Sequence, residues 1–372
     1  MNFALSDEQE FLKEAARGTL SRVDTVAAAR AALDGAALPD LWAAAVEAGW
    51  PGLLVSEERG GAGLGVLEAL LVFEELGRVL ASVPLLGHLP ASFLLDRGGP
   101  AEVVAALAAG DELAAIVPAQ PPSDIEAAWT VEPVSGLSRP LAPRWDGGVV
   151  GTAQWVPDAP GADWLVVVLD GGRAALVAAA DASVVPATVY DATRPLGHVA
   201  FERAPATLLE TGPEDAADAW YIAQALVGAE SVGAIAVALE VSVAYAKERH
   251  TFGRPIGSYQ AVKHELVEIL RGLDNARSLM YYAGWAAQDR PDEFALAASA
   301  FRHAAGNALD HATRAQISVH GGIGATWEHD APLYFRRAQL ARRLLGGTAG
   351  AADRVAGELL TRAREEGAIA AP

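Results

Sequence analysis

From Thr211 to about Lys247 the chain carries one unbroken helical pattern, and its middle, 222–241, is long and apolar enough to cross a bilayer. That run also holds Gln224, Glu230 and Glu240. Ionisable groups are costly in lipid, so the stretch reads as a buried core or interface helix and not as a membrane span. A helix that is apolar all round must be covered by other elements. Helical patterns at 259–289, 291–318, 328–343 and 349–366 can supply them, and together they predict a bundle. Thr211-Gly212-Pro213-Glu214 reads as a capping box at the start of the long helix, with Pro in the first turn.

Upstream the pattern changes twice. Residues 1 to about 110 read as helices, opened by the capping-box signal Ser6-Asp7-Glu8-Gln9 and continued at 39–49, 66–79 and 101–109. The cluster Glu57-Glu58-Arg59-Gly60-Gly61-Ala62-Gly63 reads as a turn. Between Leu113 and Leu209 short apolar runs such as 164–169 and 174–177 alternate with Gly, Pro and Asp, which predicts a small antiparallel β domain. The expected class is α+β: an N-terminal helical domain over 1–111, a middle β domain over 112–211 and a C-terminal four-helix bundle over 212–372.

Composition narrows the chemistry. The chain has 372 residues, enough for two or three units around a large core. A net charge of −19 opposes nucleic acid and anionic membrane surfaces. The absence of cysteine excludes disulfides, thiolate metal sites and cysteine nucleophiles. His264-Glu265-Leu266-Val267-Glu268 approaches a zinc-helix motif but lacks the second His, so no metal is expected. The first ten residues are acidic and polar, which argues against a secretory signal and for the cytoplasm.

The chemistry-bearing segment is Arg249-His250-Thr251-Phe252-Gly253-Arg254-Pro255-Ile256, with Gln260 beyond it and His320-Gly321-Gly322-Ile323-Gly324 about sixty residues later. A guanidinium at a helix end suits phosphate, and paired glycines let backbone N–H groups approach one closely. The plainer alternatives are an Arg that complements the helix dipole and an ordinary glycine-rich connection. Taken together, the segments resemble the C-terminal signatures of the flavin-dependent acyl-CoA dehydrogenases, and the resemblance extends over nearly the whole chain. It implies FAD as cofactor and an acyl-CoA substrate. It implies that Arg249, Thr251, Phe252 and Gln260 bind the adenine and pyrophosphate of a flavin held mainly by a neighbouring subunit. Ser318, Gly321 and Gly322 would join them, Ser318 standing where the family often has Gln. Trp155, Ser123 and Thr348 are the remaining flavin contacts that the resemblance suggests, although Trp155 also reads as a core tryptophan.

Departures from the family pattern concentrate on the reaction. Val117 and Pro118 replace a Thr and a Glu near the flavin ring, and Pro157 replaces the Thr of a Trp-x-Thr strand. The usual catalytic glutamate appears as Gly346, within Leu345-Gly346-Gly347-Thr348. The alternative base position on the long helix is Ala223. Glu230 lies seven residues further along that helix, about 10 Å up the axis, and is the one candidate for a displaced base. A structurally paired glutamate is the competing reading. The asymmetry resembles the non-catalytic subunit of heteromeric acyl-CoA dehydrogenases that act on steroid side chains. It implies a homologous partner chain in a heterotetramer, or else a homo-oligomer. Three alternatives stay open: a self-sufficient dehydrogenase using Glu230, a flavin monooxygenase of the same fold, and a structural member that binds no flavin.

Overall fold

The computed structural model describes residues 4–118 and 142–367. Six helices come first: α1 (Asp7–Leu20), α2 (Thr25–Ala32), α3 (Trp42–Glu47), α4 (Val66–Arg78), α5 (Leu85–Gly98) and α6 (Ala101–Ala109). The cap expected at Ser6 is present in full: Ser6 Oγ accepts from Gln9 N–H at 3.2 Å and Gln9 Oε1 accepts from Ser6 N–H at 3.0 Å. The helix expected at 39–49 shortens to α3. Asp40 accepts the Trp42 N–H at 2.9 Å, and Gly49 ends the turn at φ +73°.

Two four-stranded sheets follow. The first has the order β1 (Ala114–Val117), β4 (Trp164–Val168), β5 (Ala174–Ala178), β8 (Thr207–Leu208). The second has the order β2 (Arg144–Trp145), β3 (Val149–Pro157), β7 (Leu196–Ala204), β6 (Ser183–Pro186). Pairing is antiparallel except between β1 and β4, where Ala114 to Val117 run parallel to Trp164 to Val167. The middle unit is therefore mixed and not wholly antiparallel. The chain leaves β1, builds β2 and β3 in the other sheet, and returns as β4 in the same direction as β1. Both faces of β4 are covered, which explains its continuous apolar run; β7 has one open face and alternates.

The C-terminal helices are α7 (Pro213–Glu248), α8 (Gln260–Asp289), α9 (Pro291–His320), α10 (Ala331–Ala341) and α11 (Gly347–Glu365). α7 is the core helix that its sequence demands, with 89% of its apolar window buried. Its cap is shifted by one residue from the expected box: Asp215, not Glu214, reaches back, accepting from Gly212 N–H at 2.8 Å. α4 crosses α7 with backbones almost touching. A Cβ on Gly233 would fall 1.9 Å from the Glu74 carbonyl oxygen, and one on Gly77 would fall 2.0 Å from that of Glu230. Only glycine fits at this crossing.

Candidate functional site

α7 ends at Arg249, whose N–H donates to Tyr245 O at 2.8 Å and whose carbonyl accepts from Ile256 N–H at 2.7 Å. Between these anchors lies a hairpin of β9 (His250–Thr251) and β10 (Arg254–Pro255). Its two turn residues, Phe252 and Gly253, have φ of +51° and +78°. Positive φ at both central positions is what a tight hairpin requires, and this explains the Phe-Gly pair in the sequence. The turn leaves the Phe252 ring 92% exposed. Tyr259 braces the hairpin: its hydroxyl donates to Thr251 O at 3.0 Å, and the Arg254 guanidinium lies 4.1 Å over its ring.

Beneath the hairpin, α8 and α9 enclose a cleft of about 650 Å³. Its lining includes Thr251, Phe252 and Ser318, so the structure brings these three predicted residues together. Gln260 opens α8 between the lining residues Tyr259 and Ala261. Gly321 and Gly322 follow directly on the C-terminus of α9. Gly321 has φ +65°, and a Cβ on Gly322 would meet nothing within 4 Å in this chain. Glycine at 322 is thus not required by internal packing, and its face is open to approach from outside. The loop is held from behind by stacked rings, Tyr245 on His320 at 4.4 Å and His320 against His329 at 4.3 Å. Burial, and then the charge of His320, hold His329 below the usual histidine range.

The other predicted residues are not in that cleft. Trp155 sits at a register shift of β3 with φ +59°, half-buried, its ring edge-on to His198 at 4.7 Å. Val117 and Pro157 are buried at strand ends. Ser123 lies outside the described residues. Thr348 is buried in the first turn of α11, where its carbonyl lies 3.0 Å from His303 Nδ1.

The neighbours of the two expected base positions are joined where α7 passes the loop before α11. Gln224, next to Ala223, donates from Nε2 to Leu345 O at 2.9 Å, next to Gly346. Ala223 and Leu345 are 1% and 0% exposed, and Gly346 adopts φ +81° as the N-cap of α11. Neither position offers a proton acceptor side chain.

Glu230 is also committed elsewhere. It is 4% exposed, and both its oxygens accept from Arg194 Nη2. Arg337 Nη1 lies 3.4 Å away and donates from Nε to Asp191 at 2.5 Å. Thr193 Oγ1 accepts from Arg337 at 2.6 Å and donates to Asp191 at 2.6 Å. Burial alone would raise the Asp191 carboxyl; the Arg337 charge and the Thr193 hydrogen bonds outweigh it and hold the group below its usual value. With both oxygens taken up by Arg194 and 4% of its surface exposed, Glu230 is held as a structural ion pair, so the displaced-base reading loses its geometric support. The sequence contained Asp191-x-Thr193-Arg194, but nothing in it places that segment against residues 230 and 337. The cleft residues Glu265, His311 and Arg314 were missed too. Helical spacing carried a signal for them, since 261 and 265 share a face of α8, and 311, 314 and 318 share a face of α9.

The acyl-CoA dehydrogenase C-terminal domain matches residues 212–360, and the N-terminal domain of the same family matches 6–106. The chain belongs to the acyl-CoA dehydrogenase family. It is 31% identical to acyl-CoA dehydrogenase IpdE2 of Mycolicibacterium smegmatis, over 92% of this chain and 96% of that one. Among solved structures, the ChsE4–ChsE5 complex of Mycobacterium tuberculosis matches with TM-score 0.83 and 26% identity, covering 97% of this chain and 99% of that chain. The Tcur3481–Tcur3483 steroid acyl-CoA dehydrogenase variant matches with TM-score 0.83 and 27% identity, covering 96% and 99%. The family oxidises the CH–CH bond of acyl-CoA thioesters with FAD. The open hairpin, the cleft and the unfilled space at Gly322 fit a nucleotide with a diphosphate; the packed surroundings of Ala223 and Gly346 do not provide the proton acceptor.

Proposed function

We propose that this chain is the non-catalytic-type subunit of a heteromeric, cytoplasmic acyl-CoA dehydrogenase, and that its hairpin and cleft complete the FAD site of a homologous partner chain. The solved neighbour described as a steroid acyl-CoA dehydrogenase supports a steroid thioester as the substrate class. The observation that carries the reading is the contrast between two regions. At Ala223 and Gly346 there is no titratable group, and Gln224 bonds the loop before α11 through Leu345 O. At Arg249–Gln260 the family's signature is intact and faces outward. FAD would accept the hydride taken from the thioester's β-carbon, while a carboxylate removes the α-proton. The partner supplies that carboxylate. This chain supplies Arg249 as a charge-assisted donor to the diphosphate, backbone N–H groups at Gly321 and Gly322, and the exposed Phe252 ring at the mouth of the cleft.

The test has two arms. The chain purified alone should show no acyl-CoA-dependent reduction of an artificial acceptor; robust turnover by it would overturn the reading. Co-purified with its homologous partner, Arg249→Ala should lower flavin affinity about ten- to a hundred-fold, the worth of one hydrogen bond to a charged group. Undiminished affinity in that assembly would remove Arg249 from the site and leave it as a helix-end charge.

A further inference from the structure

The cleft continues well below the hairpin, and its lower end has its own chemistry. Ala261, Val262, Ala315 and Val319 give it apolar walls. Glu265 on α8 and His311 on α9 face each other there, with His311 Nε2 3.5 Å from Glu265 Oε1. Glu265 is five residues beyond Gln260, and His311 seven before Ser318, so the pair lies roughly 7–10 Å along the helices from the hairpin. The nearby cation, Arg314, turns to Asp310, a carboxylate that it shares with Arg342 Nη1 at 3.5 Å. Arg314 Nε donates to both oxygens of Asp310 at 3.1 Å, and its guanidinium lies 5.2 Å over the Phe335 ring.

We propose that Glu265 and His311 read the adenine edge of the dinucleotide, an inference that rests on the flavin reading above. The charge pattern decides which part of the ligand enters. The Glu265 carboxylate beside His311, with Arg314 drawn towards Asp310, is less suited to a diphosphate than to a neutral ring that carries a donor. The flavin ring is not the candidate, because Trp155 and Gly346 are absent from the cleft lining. Adenine carries an amino donor beside a ring-nitrogen acceptor. Glu265 accepts from the amino group and His311 Nε2–H donates to the ring nitrogen, between the flat apolar walls.

The experiment is calorimetric titration of the intact purified chain with ADP, IDP and inorganic pyrophosphate. IDP replaces the amino donor by a carbonyl oxygen. The wild type should prefer ADP over IDP by about ten-fold, since the carboxylate would otherwise lose its donor. That preference should vanish in Glu265→Ala, and His311→Ala should weaken ADP by a similar factor. Pyrophosphate binding should be the same in wild type, Glu265→Ala and His311→Ala, but fall in Arg249→Ala. Both substituted side chains are about half solvated (41% and 47%), so folding is not at stake. An ADP preference that is absent in the wild type, or that persists in Glu265→Ala, overturns the inference. A wild type that binds no ADP at millimolar concentration also overturns the inference, whereas ADP binding that ignores Arg249→Ala counts against the flavin reading as well.

Discussion

Replacing Glu230 by Gln separates two accounts of this residue, structural pairing and general-base catalysis. The substitution keeps shape and removes charge. In the native chain Glu230 is 4% exposed, and the Arg194 and Arg337 side chains around it are 4% and 3% exposed. Arg337 retains Asp191, but Arg194 is left with a neutral amide in place of its carboxylate. Breaking a buried ion pair on one side costs about 3–5 kcal/mol, because the remaining charge is desolvated without a partner. For a chain of 372 residues the unfolding entropy is roughly 0.8 kcal/mol/K, so the midpoint of thermal unfolding should fall by about 4–6 °C. Scanning calorimetry reads the change. The double variant Glu230→Leu with Arg194→Met should recover much of the loss, since apolar replacement of a buried pair is often neutral. A Glu230→Gln chain that melts within about 1 °C of wild type, yet abolishes turnover of the assembled enzyme, would refute the structural account and make Glu230 a base.

Three further outcomes follow from other contacts. Burial is the main reason the Asp158 carboxyl is pushed up to about 6, with Arg194 opposing and Glu230 adding to the rise. A raised carboxyl pKa means that its contribution to stability is fullest below pH 4 and is lost as pH climbs through 6. Asp158→Asn keeps an acceptor for Gly87 N–H and should gain on the order of 1–3 kcal/mol at pH 7 but little at pH 4; equal denaturant midpoints at pH 7 would contradict this. Gly233→Ala drives a methyl into the Glu74 carbonyl and should cost about 1–3 kcal/mol or more, read by urea titration; an unchanged midpoint would mean that α4 and α7 are further apart than described. Gly346→Glu should not create an efficient dehydrogenase, because φ +81° strains any side chain there and Val117 and Pro157 lack the hydroxyls that flank a flavin ring. Acyl-CoA-dependent acceptor reduction at the level of an intact enzyme would show otherwise.

What could be read from the sequence was what local pattern dictates. α7 is apolar all round and can only be a core helix, and α6, α8 and α9 announce themselves by period and by Gly or Pro at their ends. The hairpin was legible as a motif, and its turn chemistry follows from Phe252-Gly253. α5 escaped notice because it is buried on nearly every side, so it has no polar face to mark a period, and Pro90 in its interior reads as a breaker. The parallel pairing of β1 with β4 depends on a crossover between sheets, which no local signal encodes. Long-range pairing hid the partners of Glu230 in the same way: residues 191–194, 230 and 337 come together only once the β6–β7 connection folds over α7 and α10.

The same geometry explains how such a chain can lose its own chemistry and keep a role. On the proposed reading, the nucleotide-facing groups lie on the hairpin, on the first turns of α8 and on the last turns of α9. The base positions lie in the buried middle of α7 and at the cap of α11. No residue belongs to both sets. Removing a carboxylate at 223 or 346 leaves a buried site that small residues and one Gln224 hydrogen bond can fill without disturbing the hairpin. The Phe252 ring, at the mouth of the cleft, is 92% exposed and has little cover from this chain alone. On the proposed reading, burying it against a second subunit would contribute on the order of 2–3 kcal/mol, so the residue that exposes the flavin-completing surface would also favour assembly.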